Sequence, residues 1–283
     1  MSISSSAVLV SLNVSCWPAS VKDRKVTEQV ITSANADADA GKFMKDLFAG
    51  TSVRKNIELK AAQIRARHQK LTLPWADKGD RLLTTAMFME YKTWLNQSEA
   101  EYTQLCDTFY DSYPQLLAEA PVRLKSLYDP EDYPSIEEMR NKFGFRLVFS
   151  PVPDAGDFRL DLPKQELDAM RMQYESHANE RVEAAMKDQW GKLHDMVARM
   201  SEKLIEPEGD DKRRWHDTFI TNAQEMCAML THLNITRDPE LEAARRELER
   251  AIAGVEIDHI KDDSAVREDV KIKLDAILKQ YEW

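Results

Sequence analysis

The chain has 283 residues, with 49 acids against 39 bases and a formal net charge of −10, so its overall field repels phosphate backbones while leaving room for a local basic face. Only 8 glycines accompany 43% hydrophobic and 31% charged residues, which argues for long helices over a glycine-punctuated β or α/β fold. Three widely spaced cysteines, Cys16, Cys106 and Cys227, include no CxxC pair, so neither a disulfide framework nor a zinc knuckle is supported, and free thiols point to the cytoplasm.

Residues 7–14, rich in valine and leucine, read as a strand ending near Trp17-Pro18. No basic residue precedes this apolar run and it is short, so it suits neither a signal peptide nor a membrane span, and no other stretch does. A short helix over 21–31 and a small, polar loop over 32–40 follow. From Thr51 the period is helical: Val53, Ile57, Ala61, Ile64, His68 and Leu71 make one apolar stripe that should stop at Leu73-Pro74-Trp75. After a loop at 76–80, a second long helix carries Phe88, Tyr91, Leu95, Ser98, Tyr102, Leu105, Phe109, Tyr113 and Leu116, and Pro114 and Pro121 should kink or divide its end.

Two prolines and three acids at 128–134 form a linker, and Ser135-Ile-Glu-Glu138 resembles a capping box. At Gly144 the period turns to alternation. Phe145, Leu147 and Phe149, then Phe158, Leu160 and Leu162, predict a β-hairpin over 144–162, to which strand 7–14 could add a third strand. The longest helix follows, over 163–204, with a seam of Leu167, Met170, Tyr174, Ala178, Val182, Met186, Trp190, Leu193, Val197, Met200 and Leu204. At the standard rise it spans on the order of 60 Å. An acidic breaker at 206–211 precedes three helices, at 212–233, 239–255 (capped by Asp238) and 264–281. The predicted fold is therefore mainly α, with long helical hairpins or a bundle, coiled-coil-like seams and a small antiparallel sheet. Two regions, 1–162 and 163–283, or one continuous domain, accommodate it. The seams pack within the chain or meet copies of themselves; short connections favour the first.

Catalytic and metal signatures are missing. No histidine has a His or Cys three or four residues away, no GxxxxGK[ST], GxGxxG or GxSxG occurs, and no cofactor is called for. Asp154, Asp157 and Asp161 cluster at the hairpin turn, where carboxylates could hold a hard cation. Turn formation is the preferred reading, because the spacing is not that of an EF-hand. One stretch opposes the global charge: Arg54, Lys55, Lys60, Arg65, Arg67, His68, Lys70, Lys78 and Arg81, relieved only by Glu58, Asp77 and Asp80, with Trp75 among them. Such residues could track a single-stranded backbone and stack a base; Lys212-Arg-Arg-Trp215 repeats the theme weakly. A solvated face paired with acidic helices of the same chain is the preferred alternative.

The chain also resembles an uncharacterised phage and bacterial family catalogued as a domain of unknown function. The resemblance is carried by Val8-Leu-Val-Ser-Leu-Asn-Val-Ser15 with Trp17, Asp23-Arg-Lys-Val-Thr27, Ala66-Arg-His68, Leu71-Thr-Leu-Pro-Trp75, Asp77, Gly79, Arg81-Leu-Leu83, Asp132-Tyr-Pro134, Pro151-Val-Pro-Asp-Ala-Gly-Asp-Phe-Arg159, and Leu233-Asn-Ile with Asp238-Pro239. It implies a cytoplasmic product of a phage or mobile element, with relatives sometimes encoded near MoxR-like AAA ATPases and von Willebrand A-type proteins. It supplies no catalytic residues. It raises the weight of two segments as surfaces: Leu71-Thr-Leu-Pro-Trp75, and Pro151 to Arg159 with Asp154, Asp157 and Arg159. The expected role is non-enzymatic: an interaction or assembly protein that forms a homo-oligomer or docks another phage or host protein, an AAA ATPase among the candidates. Single-stranded nucleic-acid binding in phage replication or recombination is the alternative.

Overall fold

The computed structural model describes residues 3–76, 79–153, 163–205, 215–281 and 283. It is mainly α, with small antiparallel sheets, as the sequence predicts. The chain forms two compact units, each assembled from separated segments: Met1–Val10, Lys70–Met89 and Phe149–Trp283 in one, Ser11–Gln69 and Glu90–Val148 in the other. The boundary expected at 162/163 abuts residues outside the described ones.

In the first unit, the start of strand β1 (Ala7–Ser15) pairs antiparallel with β5 (Arg81–Thr84), Ala7 opposite Thr84 and Val10 opposite Arg81. Strand β4 (Leu73–Pro74) pairs with β5 in turn. The strand order is β4-β5-β1-β6, with β6 (Gly144–Pro151) next to β1 as the alternating pattern allows; residues 144–148 of β6 and 11–15 of β1 are counted with the second unit. The other half of the expected hairpin lies outside the described residues. Strands β4 and β5 are not predicted: the sequence pattern puts the first at the end of a helix and the second in the approach to the next. Their sheet face buries Ala7, Leu9, Leu73, Trp75 and Leu82 together with Val152, Ala185 and Leu233.

The rest of this unit is a helical bundle of α5 (Lys164–Leu204), α6 (Thr218–Leu233), α7 (Pro239–Ala251), α8 (Ile257–Asp262) and α9 (Ser264–Gln280). Leu193, Val197, Leu230, Leu248, Leu274 and Ile277 form its centre. The predicted helix over 239–255 ends at Ala251, and a separate short helix precedes α9. Gly254 takes a positive φ of 71° there, which glycine adopts without the Cβ penalty. Asp238 caps α7 by accepting from the Glu240 and Leu241 amides, and its other oxygen accepts from Trp190 Nε1 at 2.9 Å.

In the second unit, β2 (Ser20–Lys22) and β3 (Met44–Asp46) form a two-stranded sheet flanking α1 (Arg24–Ser33). The body is built on α2 (Val53–Leu71) and α3 (Phe88–Leu124), whose predicted stripes are the ones buried: Ile57, Ala61 and Ile64 on α2, Tyr91, Leu95, Ser98, Tyr102, Phe109, Tyr113 and Leu116 on α3. Phe48 meets Trp17, Phe109, Tyr113 and Tyr133 edge to face, centroids 5.4–6.0 Å apart, a geometry that adds to their area burial. Of the two outcomes expected at Pro114 and Pro121, a kink or a division, the structure does not show the division: α3 runs unbroken through both. Both sit on its exposed face, so the carbonyls they leave without a helical donor are on the solvent side while the buried stripe continues to Ala120 and Leu124. Helix α4 (Ile136–Arg140) opens with the predicted capping box, both of its reciprocal bonds formed.

Candidate functional site

The structure divides the basic stretch singled out in the sequence by element: Arg54, Lys60, Arg65, Arg67 and Lys70 all stand on α2, whereas Arg81 opens β5 and Trp75 follows β4. The side chain of Arg54 is 8% exposed and its guanidinium is engaged, donating to Glu58 at 2.9 Å with Asp46 at 4.0 Å. Lys60 pairs with Glu101 on α3. That partner, helped by Gln97, holds the Glu101 carboxyl below its ordinary range. Arg65 is exposed and its Nε donates to the Ala61 carbonyl at 3.1 Å. Arg67, also exposed, lies 5.5 Å over the Trp94 ring. Lys70 is exposed. Arg81 is a clamp on its own sheet, its Nε donating to Thr72 Oγ1 at 2.7 Å and its Nη2 to the Thr72 carbonyl at 2.8 Å.

Trp75 is placed differently from the stacking role the sequence suggested. It is 6% exposed, packed against Leu73 and Leu82, with the Arg181 guanidinium 5.5 Å from its ring. A buried indole offers no face to a base. The aromatic that accompanies α2 is instead Trp94, which the apolar stripe of α3 does not single out. Lys78, Asp154, Asp157, Arg159 and the Lys212-Arg-Arg run lie outside the described residues.

A second feature is the length of α5 that its own unit does not bury. All of the buried residues of α5 lie from Ala185 onward. Over 164–184 the predicted seam is only half-buried at Leu167, Met170, Tyr174, Ala178 and Val182, and Met172 is 72% exposed. One side of this segment lines a groove of about 390 Å³ with Met170, Gln173, Tyr174, His177 and Arg181, near the lower end of the size range for ligand sites. The Tyr174 hydroxyl donates to the Pro153 carbonyl, which fixes that ring.

The thiols are free, and burial pushes Cys106 and Cys227 up to about 11, so both are protonated near neutral pH. Among the described residues no group of three or more His, Cys, Asp or Glu side chains is placed to hold a metal ion. None of the described helices is long and apolar enough to cross a membrane. No family model, curated protein or solved structure matches the chain.

Proposed function

We propose that this chain is a phage-encoded interaction or assembly protein, acting without chemistry of its own, which forms a homo-oligomer or docks a partner such as an AAA ATPase. The observation that carries the reading is the first half of α5. Its apolar seam continues in register with the buried half, yet residues 164–184 supply none of the residues that α5 buries. Holding Leu167, Met170 and Tyr174 half in water forgoes about 25 cal/mol for each Å² of apolar surface left wet. Covering that seam by a second helix recovers it, and the 3–4 spacing is the one that meshes with another helix. The resemblance to a phage and bacterial family supports the phage origin.

Light scattering coupled to size exclusion tests this. The expected mass is twice the 32.6 kDa chain or a higher integral multiple of it. Leu167→Glu with Met170→Glu, both away from the bundle core, should return the monomer with its helicity intact. A compact wild-type monomer that retains no partner from the host or phage lysate would sink the proposal.

A further inference from the structure

The first half of α5 carries a concavity on one of its sides. Met170, Gln173, Tyr174, His177 and Arg181 line a groove of about 390 Å³. Steps of three, four, seven and eleven residues from Met170 keep all of them on one face of the helix. This half of α5 is rich in acids, yet among the described residues Glu166, Asp168, Glu175, Glu180 and Glu183 do not line the groove. The groove is thus furnished with donors in a chain whose net charge is −10. Two of its side chains are fixed. The Tyr174 hydroxyl donates to the Pro153 carbonyl. The exposed Arg181 guanidinium is held 5.5 Å from the ring of the buried Trp75, and among the described residues its partner is that indole rather than a carboxylate. Resting on the indole leaves the in-plane N–H groups of Arg181 to a further acceptor and lowers the rotamer freedom that binding would remove.

We propose that this groove binds a free aromatic carboxylic acid, its ring against Met170 and Tyr174 and its carboxylate on Arg181. The thioether and the phenol ring supply an adaptable apolar wall, and ligand sites pair such walls with a few placed polar groups. The N–H fork of Arg181 matches a carboxylate oxygen pair, and the Gln173 amide adds a neutral donor on the same face. Size selects a small molecule. Benzene occupies a cavity of about 150 Å³, so the groove holds roughly two fused rings with an acid head. All of these residues belong to the first unit. The inference goes beyond the oligomer reading and does not rest on it: a monomer that binds the acid supports this site while sinking that reading.

The experiment titrates the full chain with 2-naphthoate and with its neutral counterpart 2-naphthamide, followed by saturation-transfer NMR of the ligand. A ligand of about 13 heavy atoms at ordinary efficiency binds with a Kd of about 1 mM or tighter. The amide, which cannot form the charged pair, should bind about tenfold more weakly. Arg181→Ala should cost the acid about tenfold, and Arg181→Lys, which keeps the charge without the fork, should recover part of it. Gln173→Glu sets a carboxylate against that of the ligand; it should weaken 2-naphthoate about as much and spare 2-naphthamide. Arg199→Ala, an exposed cation at the other end of α5, should change nothing. If Arg181→Ala alters the far-UV circular dichroism, Gln173→Glu at an exposed position decides. Four results each overturn the proposal. They are no binding at roughly 5 mM, equal affinity for acid and amide, equal losses from Arg199→Ala and the groove variants, or a phenylalanine-terminated peptide that binds about tenfold tighter than 2-naphthoate, which would make the ligand a chain terminus.

Discussion

Arg245 is a cation drawn almost out of water by carboxylates of its own helix. Its side chain is 10% exposed and donates through Nε and Nη2 to Glu242, both at 2.8 Å, and through Nη1 to Glu249 at 3.0 Å. Those bonds, with help from Arg246, hold the Glu242 carboxyl down to about 2 from an ordinary 4.5. The folded state thus binds its proton at lower pH than the unfolded chain does. The stabilisation is fully present above pH 4.5 and is lost as pH falls through 2. Glu242→Gln should therefore cost about 1.5–3 kcal/mol at pH 7, the scale of a hydrogen bond to a charged group. The gap between wild type and variant in urea melts should close between pH 4.5 and 2; a gap independent of pH would contradict the pairing. Residues of this kind are hard to read from sequence, because an i,i+3 and i,i+4 set of charges looks the same whether exposed or sunk against a core. The two tryptophans make the same point. An indole has an apolar body and one donor, so nothing in Leu73-Pro-Trp75 distinguishes a stacking platform from a core residue. The partners decide, and they are strands that pair only in three dimensions.

At the scale of elements, what was legible is what repeats. The 3–4 spacing over 53–71, 88–116 and 164–204 predicts α2, α3 and α5 nearly to their ends, because a stripe of that length cannot arise often by chance. Strands β2 and β3, three residues each, β4, two residues, and β5, four residues, are too short to show a period; they exist because a neighbour supplies their hydrogen bonds. The prolines of α3 show a local rule partly overridden by packing, since the helix is not divided at either. Residues Tyr113, Leu116, Ala120 and Leu124 are buried on one side of the helix, and their burial outweighs the backbone bond each proline removes. The cost is still carried, so Pro121→Ala should stabilise the chain. The gain should be about 1–2 kcal/mol, below the full helix-interior penalty because the freer unfolded chain offsets part of it. A thermal melt followed at 222 nm checks this, and a lowered midpoint would mean that the proline sets a bend the packing of Leu124 requires.

For the whole molecule, the consequence of the chain's path is that neither unit is a continuous piece of sequence. The first takes its sheet from residues before 11 and between 70 and 89, and its bundle from residues after 148. The bundle core, from Met186 to Ile277, is entirely C-terminal, but the face that includes Ala185 and Leu233 is covered by Ala7, Leu9, Leu73, Trp75 and Leu82 from far upstream. A fragment of residues 149–283 should accordingly fold as a helical bundle with an exposed apolar face. It should bind a hydrophobic dye that the full chain does not, and melt at a lower temperature. The same contacts can be weakened without cutting the chain: Trp75→Ala should cost about 3–5 kcal/mol, as for a large aromatic removed from a packed core. Dye binding by the fragment separates two accounts of the bundle. If the fragment excludes dye and melts like the whole chain, the upstream strands are an accessory to a self-sufficient bundle. If it binds dye and Trp75→Ala lowers the midpoint of the full chain, the sheet is the lid of the same core, and the distance in sequence between Trp75 and Leu233 is spanned by packing that no local pattern encodes.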